Sequence, residues 1–403
     1  MSSTPFSLES RPTSRQLILQ VGVATLGRFV FNTSRRFVYP FAPALSRGLD
    51  VPLTSITSLI AVNQATGLLS PLFGPLSDRW GYRIMLLIGL SMLAVGMFAS
   101  GLLPLYGVIL VSLFLAGLGK SIFDPTLQAY IGERVSYKHR GLAIGVTEFG
   151  WSGSSLIGIP VAGFLIDRLG WRSPFLILAG LALLCIALLA ILLPPASGRR
   201  QQQGGERATF SKMWQLLKSS PLALAGLAFA FWLSVGNDSL FVVLGLWLES
   251  FGLSLTAVGV AASVIGLAEL AGEALTASLG DRVGLNRALM GGLILTMVGY
   301  LLLPFSGISL PLALIGLFGL FLFFEFSVVT SISLFTEVMP ETRATMMSAL
   351  FAAFSIGRVV GALLGGVVWN WGGLVAVGTI SALTTALGLA CLGWGLRAAR
   401  PNG

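Results

Sequence analysis

The chain has 403 residues, 55% of them apolar and 10% charged, with a formal net charge of +9. A soluble protein of this length carries roughly a quarter charged side chains, so the composition excludes an ordinary water-soluble domain. The apolar residues gather into runs of about 20, enough to cross a hydrocarbon core of about 30 Å at 1.5 Å per residue.

Residues 1 to 16 are polar, with Arg11 and Arg15, and the apolar run behind them is too long for a cleaved signal, so the first span acts as its own membrane signal. Reading apolar runs between charges, Gly and Pro predicts spans near 17–45, 54–76, 84–103, 105–131, 141–167 and 174–193. A second set follows near 221–249, 255–280, 288–304, 309–335, 343–368 and 372–395. The even count puts both termini in the cytoplasm. Five of the 25 Lys and Arg fall within spans, only Arg47, Arg168 and Arg172 fall on outer loops, and the remaining 17 lie on the inner side. That is the positive-inside bias of a multi-pass protein of the cell (inner or plasma) membrane, so the basic charge points to a lipid bilayer as partner and away from nucleic acid.

The longest polar stretch, residues 194–220, reads as a cytoplasmic linker between an N-terminal bundle, 1–193, and a C-terminal bundle, 221–403. Cys185 and Cys391 lie far apart without metal-ligand spacing and read as packing residues. A shift of 203 residues superposes Asp78 on Asp281, Arg79 on Arg282, Gly81 on Gly284, Gly96 on Gly299, Arg140 on Arg343, Gly158 on Gly361 and Gly163 on Gly366. The halves are therefore an internal repeat. With six spans between equivalent points the repeat is parallel, which places a binding site between two bundles that rock against each other.

At the inner end of the second span stands GPLSDRWGYR, Gly74 to Arg83. Gly74 admits a close backbone, Gly81 permits a reversal, Asp78 can accept from donors at a helix N-terminus, and Arg79 and Arg83 can pair with neighbouring acids. This loop resembles the cytoplasmic signature of the major facilitator superfamily through Gly74, Leu76, Asp78, Arg79, Gly81 and Arg83. A degenerate second copy keeps Leu279, Asp281, Arg282 and Gly284, with Ala277 in place of the first Gly. The resemblance covers nearly the whole chain. It implies an all-α polytopic membrane protein with twelve transmembrane helices in two pseudo-symmetric six-helix bundles. It also implies a cytoplasmic gate in which Asp78, Arg79, Arg83 and Glu133 latch the outward-facing state, with Asp281, Arg282 and Glu337 as counterparts. Two further likenesses are partial. Ser154 to Gly163 follows the fifth-helix antiporter pattern but has Ser154, Ile159 and Ala162 where Gly, Pro and Gly are expected, and Leu113 stands where proton antiporters often carry Arg before Gly117 and Gly119.

The spans contain the bases Arg28, Arg35, Arg36, Lys120 and Arg358 and the acids Asp124, Glu148, Asp238, Glu269, Glu273 and Glu325. At about 3 kcal/mol each in lipid, together roughly 30 kcal/mol, they must face a cavity or one another. Spacing agrees: Arg28, Asn32, Arg35, Arg36 and Tyr39 form one stripe of the first span, and Glu148 shares a face of the fifth with Trp151. Counted from the inner ends, Arg28, Glu269, Glu325 and Arg358 lie roughly 18 to 22 Å deep, while Asp124 and Glu148 lie at about 10 Å and suit a proton-titrating pair or inner gate. Lys120 and Asp124, one turn apart, read as a permanent structural pair. The substrate and coupling candidates are thus Arg28, Asn32, Arg35, Asp124, Glu148, Trp151, Asp238, Glu269, Glu273, Glu325 and Arg358.

There is no phosphate-cradling glycine loop, no zinc spacing and no catalytic triad, and His139 stands without a partner at metal spacing. The expectation is a monomeric secondary transporter without cofactor or covalent chemistry, exporting a small organic solute in exchange for protons. Two other readings stay open: a uniporter or importer of an anionic metabolite clamped by Arg28 and Arg358, and a receptor or scaffold on a transporter fold.

Overall fold

The structure is a computed structural model that describes residues 14–70, 73, 80–135, 146–193, 220–339 and 343–399. The expected linker up to residue 219 lies outside the described residues, as do Gly74, Asp78 and Arg79 and the side chains of Glu133 and Asp281.

In chain order the helices are α1 (Ser14–Arg36), α2 (Ala42–Leu49), α3 (Leu53–Leu69, its last turn 3-10), α4 (Tyr82–Leu102), α5 (Tyr106–Arg134), α6 (Val146–Leu169) and α7 (Ser173–Leu192). The second half adds α8 (Pro221–Phe241), α9 (Leu244–Glu249), α10 (Leu255–Val283), α11 (Leu285–Leu302) and α12 (Leu310–Val338). It closes with a long helix, Arg343–Ala398, which Gly372 and Gly373 divide into α13 (343–371) and α14 (374–398). Among the described residues nine helices are long and apolar enough to cross a membrane, counting that divided helix once. α3 is shorter and α1 carries the arginine stripe. With these two included, and the divided helix taken as two, the elements are consistent with twelve crossings in two sets of six.

Proline and glycine set the ends. Pro174, Pro221 and Pro311 sit in first turns, where a missing N–H costs nothing, and the Ser220 hydroxyl accepts from the Ala223 amide at 3.2 Å. Inside α5, Pro125 cannot donate to the Ser121 carbonyl, which instead accepts from Ser70 of α3 at 3.3 Å. In α6 the turn Ser154–Gly158 widens to a π-helix just before Pro160, which lacks the N–H that would bond to the Leu156 carbonyl.

The repeat is visible in three dimensions. Gly81 and Gly284 open α4 and α11 at φ 84° and φ 88°, a left-handed conformation that a side chain would strain. The first span of each half breaks at equivalent places, at 37–41 and at 242–243. A Cβ on Gly96 would stand 2.8 Å from the Ser112 carbonyl, bringing α4 onto α5, and one on Gly299 would stand 3.3 Å from the Leu320 Cα, bringing α11 onto α12.

Large apolar side chains such as Phe98, Ile191, Phe305 and Ile315 cover the outside, while Asn32, Arg36, Asn63, Gln64, Asp238 and Glu269 are buried. That is the reverse of a soluble fold, and it matches a protein whose surface solvent is lipid.

The halves meet along two seams. α10 lies backbone to backbone on α6: a Cβ on Gly259 would be 3.0 Å from the Ile159 carbonyl and one on Gly163 2.6 Å from the Leu255 carbonyl. The equivalent seam joins α3 to α13 through Thr57 and Gly366 and through Gly67 and Ser355. At the end expected to face outward, Arg47 of α2 donates two hydrogen bonds of 3.0 Å to Glu249 of α9. Thr256 of α10 donates to Asp167 of α6 at 2.8 Å. Outside the spans, the hydrogen bonds to Glu249 raise the Arg47 guanidinium above its ordinary value.

Candidate functional site

The embedded charges converge between the halves in three groups. The first belongs to the N-terminal half. Arg28 of α1 donates to Glu148 of α6 at 2.7 Å and to the Thr147 hydroxyl at 3.3 Å, and its Nε lies 3.7 Å from Asp124 of α5. Lys120 donates to Asp124 at 2.5 Å from one turn earlier on the same helix. The expected Lys120–Asp124 pair is therefore present, and Arg28 bridges the two acids.

The second group crosses the seam between α6 and α10. Arg36, on the expected stripe, donates to both carboxylate oxygens of Glu269 at 3.1 and 2.5 Å, and Ser155 in the widened turn of α6 donates to the same carboxylate at 3.3 Å. The Trp151 ring lies under the Arg36 guanidinium, 4.4 Å from its centroid. The side chains of Arg36 and Glu269 keep only 6% and 5% of their surface, so the pair is desolvated and stands or falls together. The π-turn serves this contact, because it presents Ser155 to α10, where a Cβ on Gly266 would stand 2.6 Å from the Ser155 Cβ.

The third group ties the turn after α1, together with α3, to α8 and α13. Tyr39 donates to Asp238 at 2.9 Å, Gln64 donates to the Tyr39 hydroxyl, and the Arg358 Nε lies 4.0 Å from the other oxygen of Asp238. The Tyr39 ring meets Phe241 edge-on, with centroids 5.4 Å apart.

Three charges are left over. Among the described residues Arg35, Glu273 and Glu325 make no hydrogen bond and no ion pair. Arg35 faces Arg358, Asp238 and Asp124. Glu325, 9% exposed, faces Glu269, Glu273, Arg36 and Arg358, and a Cβ on Gly272 would touch its Cβ at 3.0 Å. Exposure rises toward the end expected to face inward: the Glu148 side chain keeps 40% of its surface and Asp124 28%.

Some expected placements are corrected. The Arg28 guanidinium reaches the level of Asp124 and Glu148, hydrogen-bonding to Glu148 and lying 3.7 Å from Asp124, since a helical side chain leans toward its helix N-terminus and the arginine stem is long. Asn32 does not face the chamber with a free amide: it donates to the Gly150 carbonyl at 3.0 Å and fastens α1 to α6. Arg83, expected to pair with acids, donates to the Ala190 carbonyl at 2.6 Å, one of the last carbonyls of α7. Arg282 and Glu337 are exposed at the end expected to face inward, and the rest of the expected latch lies outside the described residues. The substrate and coupling candidates do not include Arg36, Tyr39, Gln64 and Ser155, although Ser155 shares the face of Glu148 and Trp151. Arg36 and Tyr39 were on the stripe already read, and the adjacent amides Asn63 and Gln64 in an apolar span are the signal that would have found Gln64.

Twelve expected crossings in a twofold repeat around a buried ionisable centre define an integral membrane transporter fold. The family profile of the Major Facilitator Superfamily matches the chain twice, over residues 24–241 and 227–403, and the chain belongs to that superfamily. It is 27% identical over 345 residues to the MFS-type transporter YceJ of Bacillus subtilis (strain 168), covering 85% of this chain and 87% of that protein. It is 28% identical over 309 residues to multidrug resistance protein MdtG of Citrobacter koseri, covering 72% of each. Among solved structures, a D-xylose-proton symporter superposes with a TM-score of 0.74 at 16% identity, over 92% of this chain and 97% of that one. The chain is thus a multi-pass membrane transporter of the superfamily.

Proposed function

We propose that this chain is a monomeric secondary transporter that exports a small organic solute by alternating access in exchange for protons. Both termini lie in the cytoplasm, and no cofactor or covalent chemistry is involved. The observation that carries the reading is the buried Arg36–Glu269 pair across the two halves, flanked by the unpaired carboxylates Glu273 and Glu325. A carboxylate that is charged in one state and neutral in the next changes what holds the halves together, which couples proton binding to rocking. The relatives named for multidrug resistance support efflux of organic compounds. The ties at the outer end, together with rising exposure toward the inner end, make the present conformation the inward-facing one.

The test uses proteoliposomes with a pH-sensitive dye trapped inside, challenged with a panel of drugs, amino acids, sugars and organic acids. Solute-dependent proton flux is expected from the unaltered chain, and Glu269→Gln and Glu325→Gln should each abolish the pH dependence of transport. Unchanged pH dependence in both variants would refute the assignment.

A further inference from the structure

The pairing leaves a surplus of positive charge at one place. Arg28 is neutralised by Glu148 and Asp124, and Arg36 by Glu269. Asp124 is shared further with Lys120. Arg35 lies within electrostatic reach of Arg358, Asp238 and Asp124, and Arg358 within reach of Asp238 and Glu325, so Asp238 is the acid the two arginines share. That acid is already occupied: one oxygen accepts from Tyr39 at 2.9 Å, and the other meets Arg358 only at 4.0 Å. Two guanidiniums thus draw on a carboxylate held mainly by a third group. Arg35 lies deep in the bundle but is not sealed off, and Arg358 keeps 29% of its side-chain surface. Arg35 so placed gives up much of its hydration without an ion pair or side-chain hydrogen bond among the described residues, and Arg358 gains only the 4.0 Å contact.

We infer that Arg35 and Arg358 form an anion subsite on the α1–α13 side of the chamber and that the transported solute carries a carboxylate, which lies between them. A carboxylate offers two coplanar oxygens, and a guanidinium offers paired donors at matching separation. One such group can therefore bond to both arginines and remove their repulsion. Arg28, bonded through Nη1 to Glu148 and Thr147 and flanked by Asp124, is already neutralised and plays no part in it. Glu273 and Glu325 repel the carboxylate from the α10–α12 side, so the solute enters in one orientation, its remainder toward the acids and Trp151. Gln64 supports the subsite indirectly as a positioning residue, through the hydroxyl of Tyr39.

The inference deepens the transport reading and rests on the same chamber, but its test needs no proton gradient. Purified full-length chain in detergent is titrated with benzoate, salicylate and 4-aminobenzoate, each against its own carboxamide, with melting temperature and tryptophan fluorescence as readouts. At least one carboxylate should raise the melting point while its amide does not. Arg35→Gln should weaken that carboxylate at least tenfold, with part of the loss recovered in Arg35→Lys, and Arg28→Gln should weaken it far less. Equal effects of acid and amide, or no stabilisation by any of the three acids, would overturn the subsite. So would undiminished binding to Arg35→Gln. Should Arg35→Gln fail to fold, the acid-against-amide contrast on the unaltered chain decides alone. Carboxylate selectivity without proton flux would leave the subsite standing and remove proton exchange, and proton flux without carboxylate selectivity would do the reverse.

Discussion

Arg36 and Glu269 illustrate how a buried charge constrains its neighbours. The two are bonded through both carboxylate oxygens and almost fully enclosed. Removing one charge strands the other, so Glu269→Gln should destabilise the folded protein by about 3 to 5 kcal/mol, read as a fall in melting temperature in detergent. Replacing both residues with Met should recover most of that loss while leaving the pH dependence of transport abolished, because packing is restored and the titratable charge is not. The sequence showed that these charges must face inward, since their number forbids a lipid face. It did not show who pairs with whom. Residue counting places Arg28 deeper than Asp124 and Glu148, yet one long side chain leaning toward the N-terminus of α1 closes the gap. Depth along a helix axis fixes where a Cα lies, not where a guanidinium arrives.

The helices themselves were largely legible, because a run of about 20 apolar residues has few alternatives in lipid. The breaks were less so. Pro40 and Pro43 announce the interruption after Arg36, but the matching break at 242–243 falls between two valines and has no comparable local signal. Gly372 and Gly373 mark the end of α13, as a glycine pair between two apolar runs suggests. The π-turn at Ser154–Gly158 sits where the partial antiporter pattern was read, and its widening follows from Pro160.

Contacts between elements yield a sharp prediction. α4 and α5 cross with Gly89 against Gly119, where a Cβ on Gly89 would stand 2.7 Å from the Gly119 carbonyl oxygen. Gly89→Ala should therefore cost about 1 to 3 kcal/mol through overpacking. Gly180→Ala in α7, where a Cβ would meet nothing within 4 Å, should be neutral or stabilising by up to about 1 kcal/mol. Thermal unfolding of the two variants in the same detergent checks the contrast, and equal losses in both would contradict the close crossing.

For the whole molecule, the two halves repeat one plan, and the outer end is fastened by Arg47–Glu249 and Thr256–Asp167. These exposed bonds are worth little individually, about 0 to 1 kcal/mol for an ion pair of this kind. A gate needs no more, because both of its states must remain within thermal reach. Arg47→Gln should consequently leave the melting temperature within a few degrees of the unaltered chain. It should also raise the labelling of cysteines placed on the chamber wall by a membrane-impermeant thiol reagent added from outside, and no change in that labelling would show that the pair does not hold the outer end shut.

The central claim is that the two halves rock so that the ends open in opposition. Spin labels at Trp80 and Val283, exposed at the inner end, and at Leu103 and Phe305, exposed at the outer end, would report the distances between halves by pulsed electron resonance in lipid. Cys185 and Cys391 would first be replaced by Ser. Between high and low pH, the account predicts that one distance lengthens as the other shortens. Distances that change together, or that both stay fixed across the pH range and in the Glu325→Gln variant alike, would contradict it.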